Sequence, residues 1–449
     1  MTGCFQEQSF PIREGDAVYV DTDHTAATTP REWLVEAQRQ LEHLLPARHR
    51  RSLLTDQMVD SDGEAVDVYR YFGERLGDQS KLMGNWNGFL QTAQQVGADS
   101  YIDKPPPDWP GFEDVWVPVA DDVQLAGRLG LVRSDSNITE ADCIVIVPGF
   151  MGDLGGQRTR DVALALRENG FHVLALDLRG HGRTEHRYPD MYYSYGVIET
   201  RDLLRTSRWL RESFACVRRT GLLGYCWGGN LAMLTAWLDN RGEQHPGLRE
   251  HIALFHDAFT GEPHYTAGVM AISPVINFEA IVERTEQPRD LIDDPNTHFF
   301  QQTIEGRMRL KQFPNPDGNL RRLIDLDFSR SVFGPALNMT EPYQFFRLLP
   351  HNNHPTDDKL ESARVPTLIV SSINDPFLNI QEVADLIALT ENPNVAAIIL
   401  SQGGHVGLAA FNRSYTYSLI LSFFHPEHGA ARLNSATEHT ESERTDQRL

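Results

Sequence analysis

The stretch Gly221-Leu222-Leu223-Gly224-Tyr225-Cys226-Trp227-Gly228-Gly229 constrains this chain more than any other. It begins as a short apolar run and opens into a segment with helical spacing, Asn230 to Leu238. Strand, sharp turn, helix is the geometry of a nucleophile elbow, in which a strained turn holds one side chain out into a cleft. The positions two before and two after that side chain must be small, because strand and helix meet there. Gly224 and Gly228 meet that demand. Cys226 stands at the nucleophile position, where serine is usual. Taken alone, the pattern also fits a buried cysteine beside a Gly-rich turn, since free cysteine is among the most buried residue types.

The flanking chain supplies the context an elbow needs. Val115, Val117 and Val119 alternate with their neighbours, and Gln124 to Val132 reads as the partner of that strand, giving two antiparallel opening strands. From Cys143 the pattern becomes strand–helix alternation, which implies parallel strands with crossover helices. Cys143-Ile144-Val145-Ile146-Val147 is a continuous apolar run, as in a strand covered on both faces. Helix over 161–168, strand over 173–178, helix over 200–214, the elbow, and strand over 269–273 follow. Alternation pauses between about 275 and 364, a stretch rich in helix formers, aromatics and prolines, and an insertion there would sit as a lid above the sheet's carboxyl edge. It resumes with strand 367–370, helix 381–389, strand 395–400 and helix 411–424. The expected fold is therefore α/β, with a mostly parallel eight-stranded sheet flanked by helices and a helical lid insertion.

Outside this unit lie two further regions. Residues 1–110 read as an N-terminal helical extension, a cap or an arm for a homo-oligomer. Within it Thr29-Pro30 supplies an N-cap and a first-turn proline, Leu34, Ala37 and Leu41 follow at helical spacing, and Pro105-Pro106-Pro107 and Pro110 close it. The catalytic domain is expected over 111–424 and a disordered polar tail over 425–449. Four cysteines spread over 449 residues argue against a disulfide framework and suit a reducing, cytoplasmic setting. The first residues show no secretory pattern, and no apolar run is long enough for an integral membrane segment. A net charge of −21 repels phosphate backbones, which argues against nucleic-acid binding.

A thiol nucleophile needs a base, and the base an orienting group, in the chain order nucleophile, acid, histidine, each on a loop at a strand's carboxyl end. After strand 367–370 comes Ser371-Ser372-Ile373-Asn374-Asp375-Pro376-Phe377, in which Asp375 is the sole carboxylate. After strand 395–400 comes Ser401-Gln402-Gly403-Gly404-His405-Val406-Gly407. Asp375 alone would read as a turn former before proline, and His405 alone as a solvated loop histidine. Their joint placement at the expected strand ends favours the triad Cys226, Asp375 and His405. The oxyanion hole is expected from the amides of Trp227 and of Phe150, in the loop Pro148-Gly149-Phe150-Met151-Gly152. Phe150, Met151 and Trp227, with Phe299, Phe300, Phe345 and Phe346 from the lid, would make an apolar acyl-binding site, although each of these aromatics also fits plain lid packing. Arg179-Gly180-His181-Gly182 reads as a structural turn. His351, His354, Asp357 and Asp358 fit no metal-ligand spacing, so no metal and no cofactor is expected.

The span from Val117 to Phe424 resembles the YheT-like branch of the α/β-hydrolase superfamily. The segments Pro148-Gly149-Phe150-Met151-Gly152, Arg179-Gly180-His181-Gly182, Gly224-Tyr225-Cys226-Trp227-Gly228-Gly229-Asn230, Tyr343-Gln344-Phe345-Phe346, Asp375-Pro376-Phe377 and Gly403-Gly404-His405-Val406-Gly407 carry the likeness, in that order. The resemblance implies an α/β-hydrolase fold and hydrolysis of carboxylic esters, often with acyl chains of moderate length, so that a small-molecule ester or acyl compound is the expected substrate. Cys226 in place of serine, and the N-terminal extension, depart from the branch. Polyhydroxyalkanoate synthases carry a similar Gly-x-Cys-x-Gly-Gly box, which leaves cysteine-dependent acyl transfer as an alternative. A catalytically weak hydrolase-fold binding protein is a third reading.

Overall fold

The computed structural model describes residues 7–13, 15–20, 29–46, 49–53, 81–96, 107–134, 137–239, 262–292, 294–331, 359–378, 380, 382–383, 386 and 390–425. The chain opens with helix α1 (Pro30–Gln40), strand β1 (Arg50–Leu53) and helix α2 (Lys81–Val96). Thr29 caps α1 as its sequence predicts. Its side chain accepts the Glu32 N–H while Glu32 reaches back to the Thr29 N–H, a reciprocal capping box.

The sheet is built from β1, β2 (Glu113–Ala120), β3 (Val123–Gly130), β6 (Ala141–Val147), β7 (His172–Leu176), β8 (Val217–Tyr225), β9 (Gly268–Ile272), β10 (Thr367–Ser372) and β11 (Val395–Leu400). Its order is β1-β11-β10-β9-β8-β6-β7-β3-β2. The short pair β4 (Arg133–Ser134) and β5 (Asn137–Ile138) stands apart from it. The six strands β7, β6, β8, β9, β10 and β11 run parallel, and β2 and β3 join as the antiparallel pair expected from their alternation. The eight expected strands are present, and β1 adds a ninth by pairing antiparallel with β11, Arg50 opposite Leu400. The N-terminal region thus contributes a strand as well as helices.

The apolar run of β6 divides by period two. Cys143, Val145 and Val147 enter the core on one face with Leu222 and Leu231, and Ile144 and Ile146 enter the core on the other with Leu166 and Leu419. The crossover helices cover both faces: α3 (Gln157–Glu168), the short α4 (Gly182–Arg187), α5 (Glu199–Ser213) and α6 (Trp227–Leu238). A sheet so covered needs apolar side chains on both sides, which is why β6 shows no polar alternation.

Among the described residues, three helices stand between β9 and β10, in the region expected to form a lid: α7 (Phe278–Thr285), α8 (Pro295–Leu310) and α9 (Leu320–Arg330). Asn277, Asp294 and Asn319 cap them through their side-chain oxygens. The last helix among the described residues, α10 (Leu408–Phe424), breaks at Asn412, whose side chain accepts the Tyr415 N–H and so starts the helix afresh. The expected helix over 381–389 falls largely outside the described residues, and the tail from 426 onward entirely so. Among the described residues, no helix is long and apolar enough to cross a membrane.

Candidate active site

Cys226 sits at the turn from β8 into α6 with φ 56° and ψ −120°, a conformation that an L-residue adopts only when its surroundings enforce it. Three contacts enforce it here. The Cys226 N–H is held by Ile272 O at 2.9 Å, which ties the turn to β9. A Cβ on Gly224 would lie 2.0 Å from Gly228 O, and one on Gly228 would lie 2.3 Å from Pro148 O. Strand, helix and the loop after β6 therefore meet with no room for a side chain. The elbow glycines are the steric condition for the turn.

Asp375 and His405 lie at the carboxyl ends of β10 and β11 and meet there. His405 Nδ1 is 2.8 Å from Asp375 Oδ2. The other carboxylate oxygen, Oδ1, accepts the N–H groups of Phe377 and Leu378 at 2.9 and 3.1 Å. The carboxylate is thus oriented by the turn that follows it. Cys226 stands beside His405 and the Trp227 amide, both of which favour its thiolate.

The electrostatics of this group are those of an ion pair. Burial pushes the Cys226 thiol up, but the His405 imidazolium, its hydrogen bond, the Trp227 amide and the Arg158 charge outweigh burial and leave it below its ordinary value. Burial likewise opposes a charge on His405, yet the Asp375 carboxylate and the Cys226 thiolate raise it to about 10. Cys143 shows the opposite case: buried in the sheet, with Cys216 and Asp142 adding to the effect, its thiol is pushed up.

The loop after β6 passes close over the sulfur. A Cβ on Gly149 would lie 2.9 Å from Cys226 Cβ and 3.4 Å from Sγ. Met151 has φ 62° and donates its N–H to His181 Nε2 at 2.9 Å. His181 Nδ1 in turn meets Arg179 O at 2.7 Å, and burial together with Arg307 drives its pKa down to about 4. The ring is therefore neutral, with its proton on Nδ1 and a lone pair for Met151. Asp177 Oδ1 holds the Leu154 N–H at 2.7 Å. His181 and Asp177 together fix the loop from beneath, which fits the reading of this turn as structural.

A cavity opens over Cys226 and His405. Phe150 and Trp227 line it, and so do Phe299 and Phe300 from α8. Met151 is buried in the core beside it and is not one of the lining residues. Phe345, Phe346 and the cluster of His351, His354, Asp357 and Asp358 lie outside the described residues. Among the described residues, no group of three His, Cys, Asp or Glu is placed to hold a metal ion.

Sequence reasoning missed two contributors to the cavity. One is α2, whose Phe89, Thr92, Ala93 and Val96 form a wall, with Phe89 stacked on Phe299 at 5.6 Å. The other is Arg158, in the first turn of α3. The apolar spacing of α2 gives a helix but nothing that marks what it packs on. Arg158 stands among other arginines with no pattern to single it out.

A family model described as "alpha/beta hydrolase fold" matches residues 142–240. No curated protein matches the chain in sequence. Among solved structures, the chain is similar to the esterase Pf2001 of Pyrococcus furiosus, at 16% identity over 72% of this chain and 97% of that one, with a TM-score of 0.43. It is similar to the Pyrococcus horikoshii acylaminoacyl peptidase at 14% identity, over 70% of this chain and 41% of that one, with a TM-score of 0.43. Est1E from Butyrivibrio proteoclasticus, solved with ferulic acid, is similar at 14% identity over 68% and 98%, with a TM-score of 0.40. The strand order, the elbow at the end of β8 and the matched segment around it make this the α/β-hydrolase fold.

Proposed function

We propose that this chain hydrolyses carboxylic esters or thioesters through Cys226, His405 and Asp375. One observation carries the reading: the convergence of the three side chains, with His405 bonded to Asp375 and set beside Cys226. An activated free thiol of this kind suits a reducing compartment such as the cytoplasm.

The thiolate of Cys226 attacks the substrate carbonyl carbon. The carbonyl electrons move to oxygen, where the Phe150 and Trp227 amides meet the developing charge. The tetrahedral species collapses, the C–O or C–S bond to the leaving group breaks, and the imidazolium of His405 protonates the departing atom. A water then enters, His405 takes one of its protons, and the oxygen attacks the acyl-thioester. Collapse returns the Cys226 thiolate and releases the carboxylic acid. Asp375 keeps the proton on Nδ1, so that the opposite nitrogen serves as base and acid in turn. The lid aromatics Phe299 and Phe300 would receive an acyl chain.

The test is hydrolysis of p-nitrophenyl butyrate by the full chain and by Cys226→Ala, together with mass spectrometry of the quenched reaction. The expected result is release of nitrophenol and an acyl adduct on Cys226, both lost in the variant. Equal hydrolysis by the two proteins refutes the reading.

A further inference from the structure

Arg158 is a buried cation with no carboxylate partner among the described residues; the anion that feels its charge is the Cys226 thiolate. Its side chain is 9% exposed, and among the described residues no hydrogen bond or ion pair reaches Nε or Nη1. The guanidinium lies 4.4 Å over the ring of Tyr225, the residue before the nucleophile. Glu7 is close, but its carboxylate accepts the backbone N–H of Arg158, at 3.1 Å, and leaves the guanidinium alone. The other buried arginines are paired: Arg179 with Asp202, and Arg307 with Glu185.

An unpaired buried charge is costly, and truncating a side chain that has no protein partner removes that cost. A guanidinium held on an aromatic face in the wall of the cavity beside the nucleophile, with donors that no protein group takes, has the chemistry of a carboxylate receptor. The rest of the cavity wall is mainly apolar, so among the described residues the arginine is its one cation apart from His405. A chain with a net charge of −21 offers such an anion no other general attraction.

We infer that Arg158 is a specificity residue that binds a carboxylate carried by the substrate, so that the preferred substrates are esters or thioesters bearing a free acid group. This rests on the hydrolase reading above. The carboxylate could sit on the acyl chain or on the leaving group, and the shared chemistry is an anion within the reach of Arg158 when the scissile carbonyl stands at Cys226.

Three esters separate these cases: neutral p-nitrophenyl hexanoate, p-nitrophenyl hydrogen adipate with the acid on the acyl side, and 4-(hexanoyloxy)benzoate with the acid on the leaving group. The expected result is a kcat/KM for one of the two anionic esters about 10- to 100-fold above the neutral one, as for a hydrogen bond to a charged group. Arg158→Gln reduces that ratio to near one, chiefly through KM, and Arg158→Lys keeps part of it. Arg158→Met raises the thermal midpoint, where an arginine serving structure would lower it. Absence of any anionic preference, or a preference that survives Arg158→Gln, overturns the inference while leaving the hydrolase reading in place. Should none of the three esters be turned over, the hydrolase reading falls. The anion site is then decided by alkylation of Cys226: the iodoacetate-to-iodoacetamide rate ratio drops about tenfold or more in Arg158→Gln if Arg158 receives carboxylates, and an unaltered ratio refutes it.

Discussion

Thr92 Oγ1 accepts the backbone N–H of His405 at 2.8 Å, across 313 positions of sequence. The neighbouring Gln91 bonds both loops that carry His405 and Asp375: its Oε1 accepts the Gly403 N–H and the Asn374 side chain, each at 2.9 Å. Asn374 Oδ1 then accepts the Gly404 N–H, also at 2.9 Å. The fit is close, since a Cβ on Gly88 would lie 2.0 Å from Asn374 O and one on Gly404 would lie 2.3 Å from Gly88 O. Helix α2 is therefore a clamp over the His405 loop, built from outside the sheet unit.

Loosening that clamp lowers turnover without removing a reacting group. Thr92→Val leaves the His405 N–H without its acceptor, a loss of about 1–3 kcal/mol where the group stays dry. The expected outcome is a fall in kcat with KM little changed, and recovery in Thr92→Ser, which restores the hydroxyl. Steady-state kinetics on p-nitrophenyl esters measure both.

The ion pair sets the pH dependence. Cys226 is held below its ordinary thiol range, so the rising limb of kcat/KM lies on the acid side of where a free thiol titrates, near ~8.5. The falling limb follows His405, near pH 10. The raised folded pKa of His405 contributes stability that is fully present below its unfolded value, about 6.5, and is lost as pH rises through about 10. Cys226→Ala removes one of the charges that hold His405 up, so the histidine titrates lower. A proton NMR titration of the ring checks this.

Asp375→Asn separates geometry from charge. The amide oxygen is expected to keep the Phe377 and Leu378 N–H groups, as Asp375 Oδ1 does, which turns the NH2 toward His405 Nδ1. That nitrogen must then accept, so the proton moves to the side facing Cys226 and the ring can no longer act as base. Activity should fall by about 10³–10⁴, and iodoacetamide should alkylate Cys226 far more slowly at pH 7.

Gly149→Ala places a methyl 2.9 Å from Cys226 Cβ. Either the loop lifts and carries the Phe150 amide away, or the thiol is turned. Both lower kcat, while a fold held by nine strands persists, so circular dichroism should be unaltered as turnover falls.

His181→Ala tests the support beneath the same loop. It leaves the buried Met151 N–H unpaired, at a cost of about 1–3 kcal/mol, and should lower the midpoint of urea unfolding along with kcat. The wild-type ring is neutral throughout, since its pKa is near 4. The defect should therefore be flat between pH 6 and 9.

The legible parts of the sequence were those with a local cause. A strand covered on both faces reads as an apolar run, as β6 does, and an elbow reads as glycines around one residue because sterics at Gly224 and Gly228 admit nothing larger. Asp375 and His405 could be picked out because each follows such a strand. Helix α2 and Arg158 act on the site through contacts with distant chain. The spacing of Gly88, Gln91 and Thr92 is ordinary for a helix, and what makes those residues matter is the Asn374 and His405 loops they touch. Strand β1 escaped for the same reason: an edge strand of four residues is specified by its partner β11 more than by its own composition.

The clamp also has a bearing on synthesis. Cys226 leaves the ribosome well before Asp375 and His405, and the loops that carry these two are fastened only when they dock against a helix made near the start. Until then the sulfur has no imidazolium beside it and behaves as an ordinary thiol, only a few per cent ionised at neutral pH. The heightened nucleophilicity thus belongs to the finished polypeptide and not to the growing one, by the order in which the chain is made.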